Sequence, residues 1–162
     1  MYLTYFVAPL RCRNCGTVSA ADETTLMESS LRHRDESALI RVGDYVDPQL
    51  LERRYLTIRA PKSGEPIRLL EMWTCPTCGF VNWGQVDLRD GLVERIESVT
   101  LDAARLQDFH YVTLSAGDEL EARYGPPASD DGVLRPESVE RLLQVLPSPA
   151  AFRLRRSRPE LG

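Results

Sequence analysis

The stretch Glu71-Met72-Trp73-Thr74-Cys75-Pro76-Thr77-Cys78-Gly79, EMWTCPTCG, places two thiols just after Met72-Trp73-Thr74 and ahead of a glycine. Such a pair serves as a redox dithiol, as half of a metal site or as half of a disulfide framework. The other two cysteines of the chain repeat the pattern as Cys12-Arg13-Asn14-Cys15-Gly16. At this spacing two thiolates can face one ion while the backbone turns tightly around it. The turn closes most easily where no side chain opposes a left-handed conformation, and Gly16 and Gly79 supply that position. Cys12, Cys15, Cys75 and Cys78 therefore make a closed tetrahedral ligand set with no cysteine left over.

Competing chemistries fit the residues less well. A thioredoxin-like dithiol would open a helix in a βαβ unit, with tryptophan directly before the first cysteine. Here Thr74 intervenes and the following GFVNWGQVDL reads as strand. A zinc-deaminase site needs His-X-Glu and Pro-Cys-X-X-Cys. His33-Arg34-Asp35 offers aspartate instead, Thr74 stands in place of the proline, and Cys12 and Cys15 would be idle. The expected compartment is the cytoplasm, where disulfides are disfavoured. The apolar run from Tyr2 to Leu10 lacks the basic region and small-residue cleavage site of a signal peptide. No run approaches the length of a membrane span, so no membrane association is expected. The expected ion is one structural zinc per chain, with iron as the alternative.

The paired CRNCG and CPTCG resemble a zinc ribbon, in which two knuckles at the tips of short β-hairpins clamp one ion. The chain is also similar to the bacterial domain family named for its Cys-Pro-X-Cys motif, where an insert separates the knuckles and can include an Asp-Pro-led helical turn. The insert here spans residues 16–74 and contains Asp47-Pro48-Gln49-Leu50-Leu51-Glu52; the proline lies in the second pair rather than the first. Cys75-Pro76-Thr77-Cys78-Gly79 resembles the second rubredoxin knuckle as well, which implies iron and electron transfer.

The fold expected is α+β: a zinc-ribbon-like antiparallel sheet with a long insert between the knuckles, followed by C-terminal helices. Residues 1–99 form the β-domain, 100–146 a helical segment packed on it, and 147–162 a basic tail expected to be flexible. Residues 2–8, YLTYFVA, read as a strand into the first knuckle. Ser19-Ala20-Ala21-Asp22 resembles a capped helix start. Asp47 with Pro48 starts a short helix to about Arg54. Tyr55–Arg59 and Ile67–Trp73 flank the turn residues 61–66 and are expected to pair as a hairpin. Phe80–Arg89 and Leu92–Val99 surround Asp90-Gly91, a signal for a tight turn with positive φ. LDAARLQDFHYV, residues 101–112, suggests a helix with Leu101, Ala104, Leu106 and Phe109 on one face. Asp118–Tyr124 adds a turn or two, and Pro136 opens a last helix carrying Val139, Leu142, Leu143 and Leu146.

His33 and His110 are the only histidines and read as surface or packing residues rather than general bases. A tetrathiolate ion has no open coordination position, and no phosphate-binding glycine loop occurs, so no enzymatic activity is expected. The expected partner is a protein, or a second copy of the same chain. Trp73, Phe80 and Trp83 are candidate contacts, although aromatics beside a small metal site more often complete its core. Nucleic acid is disfavoured by a net charge of −4 and a pI of about 5.3. Against that stand Arg11 and Arg13 at the first knuckle and the tail arginines Arg153, Arg155, Arg156 and Arg158.

Overall fold

A computed structural model describes residues 4–20, 27–29 and 38–124. The last helix expected from Pro136 and the arginine tail lie outside them, as does most of the segment around Asp22. The described chain is mixed α+β, mostly strands, in two sheets with few helices. Strands β1 (Thr4–Phe6), β2 (Met27–Glu28) and β3 (Ala38–Ile40) form a small sheet in the order β2-β1-β3. A 3-10 turn, Pro48–Leu50, runs into α1 (Leu51–Arg54). Asp47 caps it by accepting from the Gln49 N–H at 3.0 Å, as its place before Pro48 suggests.

The larger sheet is built on β5 (Ile67–Thr74), β6 (Val81–Arg89) and β7 (Leu92–Val99), an antiparallel meander. Asp90 (φ 50°) and Gly91 (φ 84°) make the β6–β7 turn. A side chain at Gly91 would also strike the Tyr45 ring and the Val46 carbonyl, so two constraints hold glycine there. Pairing shifts from Asp87↔Arg95 to Leu88↔Val93, which leaves Glu94 bulged out of register. The bulge puts Val93 and Ile96, three residues apart, into the same core.

The expected hairpin between residues 55–59 and 67–73 does not form. Strand β4 (Leu56–Thr57) pairs instead with β8 (Tyr111–Val112), and β8 lies parallel to β5, giving the order β4-β8-β5-β6-β7. The sheet is accordingly not wholly antiparallel. The helix expected over residues 101–112 is α2 (Ala103–Asp108), capped by Asp102 accepting from the Arg105 N–H. From Phe109 the β-prone Phe-His-Tyr-Val run turns extended and enters the sheet, because Tyr111 and Val112 bury both their faces there. Leu101, Leu106 and Phe109 are buried as expected, whereas Ala104 is exposed. Helix α3 (Leu114–Tyr124) begins earlier than expected, with Gly117 close against Leu56.

Both faces of this sheet are covered. Leu69, Trp73, Val86, Leu88 and Val93 meet Phe6, Leu10, Met27, Leu51 and Tyr55 on one side. Leu70, Trp83 and Val99 meet Leu106, Phe109, Ala116 and Leu120 on the other. The period-2 alternation of β5 and β6 assigns the sides. Gly84 admits the Met27 side chain where a Cβ would collide with it, so the small sheet can close down on the large one.

Within the first core sits a carboxyl group. Glu71 is fully buried, accepts from the Tyr55 hydroxyl at 3.1 Å, and also bonds the Thr113 side chain. Tyr55 in turn lies 2.9 Å from the Ser29 hydroxyl. Burial pushes the Glu71 pKa well above its ordinary value of 4.5, with a further rise from the charge of Glu28. A raised folded pKa means stability is fully present below about pH 4.5 and is lost as pH rises through the folded value. We expect Glu71→Gln, which keeps an acceptor for Tyr55 but cannot ionise, to match the parent at pH 4 and to be the more stable of the two at pH 8. Urea unfolding at the two pH values checks this; equal gains at both would contradict it.

Candidate metal centre

The two knuckles fold as near copies. In the first, Gly16 N–H donates to Cys12 O at 3.0 Å and Cys12 N–H to Thr17 O at 2.9 Å; in the second, Gly79 N–H donates to Cys75 O at 2.8 Å and Cys75 N–H to Phe80 O at 2.9 Å. Gly16 and Gly79 have φ of 78° and 77°, the left-handed turn their position in the sequence suggests. Each loop is flanked by an antiparallel pair, Arg11↔Val18 and Thr74↔Val81. Backbone N–H groups of Asn14 and Cys15 point at Cys12 Sγ, and those of Thr77 and Cys78 at Cys75 Sγ.

These turns bring all four sulfurs within 4.8 Å of one another, across the insert that separates the knuckles. Cys12 Sγ lies 3.7 Å from Cys78 Sγ, and Cys15 Sγ 3.7 Å from Cys75 Sγ. A disulfide needs about 2.05 Å, so the pairs are not bonded, and the cysteines are free. Metal–sulfur bonds of about 2.3 Å place the corners of a regular tetrahedron about 3.8 Å apart, which these two separations match. The four residues thus fit a tetrathiolate ion, and they are the one such ligand cluster among the described residues.

The first cysteine of each knuckle, Cys12 and Cys75, is buried, while Cys15 and Cys78 are exposed. At Cys12 burial raises the thiol pKa, but bonds from the Asn82 amide and from the Cys15 and Asn14 N–H groups outweigh it, bringing the value down to about 6. The Thr17 hydroxyl, 3.2 Å from Cys15 Sγ, lowers that thiol too. At Cys75 burial prevails and the pKa rises.

Neighbouring residues that the sequence marked as candidate contacts have structural roles. Trp73 and Trp83 are 1% and 4% exposed and Phe80 packs against the core, so these aromatics complete the interior. Arg13 Nη2 donates to the Ser98 carbonyl at the end of β7, and Arg11 Nη1 to the Gly16 carbonyl. His110 is buried; its Nδ1 accepts from the Arg68 N–H at 3.0 Å. That bond assigns the proton to Nε2, which lies 3.1 Å from Glu65 Oε1 but off the line of a good hydrogen bond. Burial holds the His110 pKa low, and Arg59, with the Lys62 N–H, holds Glu65 at about 2. His33 lies outside the described residues.

Sequence reasoning missed the polar residues around the sulfurs. Asn82 and Asn14 donate to Cys12 and Cys78 across the gap between knuckles, each at 3.5 Å. A sequence signal existed for the first: asparagine is a poor strand former, yet Asn82 stands in an otherwise β-prone run just beyond a knuckle.

No model of a known protein family, no curated protein and no solved structure matches the chain. The four-cysteine cluster is consistent with a zinc-ribbon-like knuckle pair. The narrower resemblance to the Cys-Pro-X-Cys domain family gains no support from these comparisons.

In metal-free protein that keeps this fold, we expect alkylation at pH 7 to reach Cys15, exposed and lowered, roughly tenfold or more faster than Cys75, buried and raised. Bound metal should protect all four. Peptide mapping after timed iodoacetamide exposure measures the order, and equal rates at Cys15 and Cys75 would refute it.

Proposed function

We propose that the chain is a non-enzymatic zinc-binding protein, with one structural zinc held by Cys12, Cys15, Cys75 and Cys78. The observation that carries this is the matched pair of knuckles with all four sulfurs within 4.8 Å. Four thiolates fill a tetrahedral site and leave no position for water or substrate, so the ion contributes to folding rather than to chemistry. In this reading the metal joins the N-terminal strand and first knuckle to the β5–β6 hairpin, as a zinc ribbon does.

What the clamped fold serves, we propose, is contact with a protein partner or a second copy of the chain, in an adaptor role. Support comes from apolar side chains left at the surface. Tyr45, 68% exposed, pairs across from the exposed Leu92, and exposed Val42 lies in the turn just before Tyr45. Nucleic acid has less to hold in this reading, because Arg11 and Arg13 already bond backbone carbonyls and the whole chain is acidic.

Elemental analysis of purified protein is expected to give one zinc per chain. Stoichiometric iron with a red chromophore would replace the reading with electron transfer, and no metal would end both. Chelation, or Cys75→Ser, should lower the thermal midpoint by roughly 10 °C or more, because the ion closes a long loop. An unchanged midpoint would make the site peripheral. In gel-shift assays with random DNA and RNA at physiological salt and micromolar protein we expect no complex; a salt-sensitive shift lost on neutralising the tail arginines would favour nucleic-acid binding.

A further inference from the structure

Asn82 is the second residue of β6 and 1% exposed. Its amide works in two directions. Oδ1 accepts from the Arg13 N–H at 2.9 Å, and Nδ2 donates to Cys12 Sγ at 3.5 Å and to Phe80 O at 3.2 Å. One side chain on the strand leaving the second knuckle therefore holds the backbone of the first knuckle, one of its sulfurs, and a carbonyl of its own loop. A buried amide must find partners for both ends, and here every partner belongs to the metal loops. An apolar residue would serve the strand better, so strand formation does not account for the asparagine.

The chemistry of the bond gives it a direction. An N–H aimed at a thiolate stabilises the charged, metal-binding form, and side chains that orient ligands in this way commonly change metal affinity by about 10–100-fold when removed. Asn14 makes the reciprocal bond to Cys78, but from an exposed position where water can substitute for it. We propose that Asn82 is the positioning residue of the metal centre: it fixes the first knuckle on β6, stabilises the Cys12 thiolate and governs how tightly the ion is retained. The inference rests on the tetrathiolate reading.

Asn82→Asp separates the two functions of the amide. The aspartate still accepts from the Arg13 N–H but has no donor for Cys12, and it sets a negative charge beside the sulfur. In the full-length protein we expect one zinc per chain at saturating zinc and an unchanged far-ultraviolet circular dichroism spectrum. In competition with a chromophoric chelator, zinc affinity should be about 10–100-fold weaker. The thiolate-to-metal charge-transfer band of the cobalt-loaded variant should shift, a change that loosened packing alone would not produce. Wild-type protein loaded with NMR-active cadmium gives a readout needing no substitution: a scalar coupling between the metal and the Asn82 Nδ2 protons. Wild-type affinity in Asn82→Asp with no shift of the cobalt band, or no coupling to the Asn82 amide in cadmium-loaded protein, would overturn the proposal while the metal reading stood. Failure of the wild-type chain to bind any of the three ions would instead remove the reading on which it rests.

Discussion

Four sulfur atoms within 4.8 Å of one another are the constraint on which the rest of the structure depends. As thiolates, two of them 3.7 Å apart repel by about 4 kcal/mol at an effective dielectric constant near 20. Backbone N–H groups and asparagine amides soften that repulsion, and a cation at the centre reverses its sign. The first knuckle is anchored to the large sheet in the same region. Beyond the sulfurs themselves, Arg13 reaches Ser98 and its N–H meets Asn82. The sulfur cluster and the first core are also continuous, since Cys12 and Cys75 pack among Phe6, Leu10 and Trp73.

That continuity explains the division between the members of each pair. The first cysteine of each knuckle faces the core and the second faces water. Exposure would let an ion enter without opening the protein, while burial of the other two sulfurs would keep half of its coordination shell out of competition with solvent. The same core tolerates Glu71 only because Tyr55 and Thr113 bond it and its charge can be given up.

The parts legible in the sequence were those fixed by local chemistry. The CXXCG spacing marked four thiols that the fold brings together, Asp90-Gly91 placed a turn, and Asp47-Pro48 placed a helix start. Each depends on residues within a few positions of one another. The parts that escaped depend on distant partners. Strand β8 has two residues and lay inside what read as a helix; only the vacancy beside β5 makes Tyr111-Val112 a strand. Strands β2 and β3 are two and three residues long, too short for any periodicity to register. Asn82 is visible as an oddity in its strand, but its partners, Cys12 and Arg13, come from the far side of the insert.

The position of β8 bears on the order in which the protein is made. A ribosome releases the chain from its N-terminus, so the β5-β6-β7 meander can be complete once residue 99 has emerged. The outer edge of β5 is still bare at that moment, because β4, although already synthesised, pairs with β8 and not with β5. An eight-residue strand whose middle, Leu69–Glu71, is buried in the finished fold is a template for pairing with another nascent chain while its edge is open. Only when Tyr111 and Val112 leave the ribosome can they slot between β4 and β5 and close the sheet. The interval of greatest exposure to aggregation is therefore the emergence of residues 100–112, and one of the shortest strands of the fold ends it.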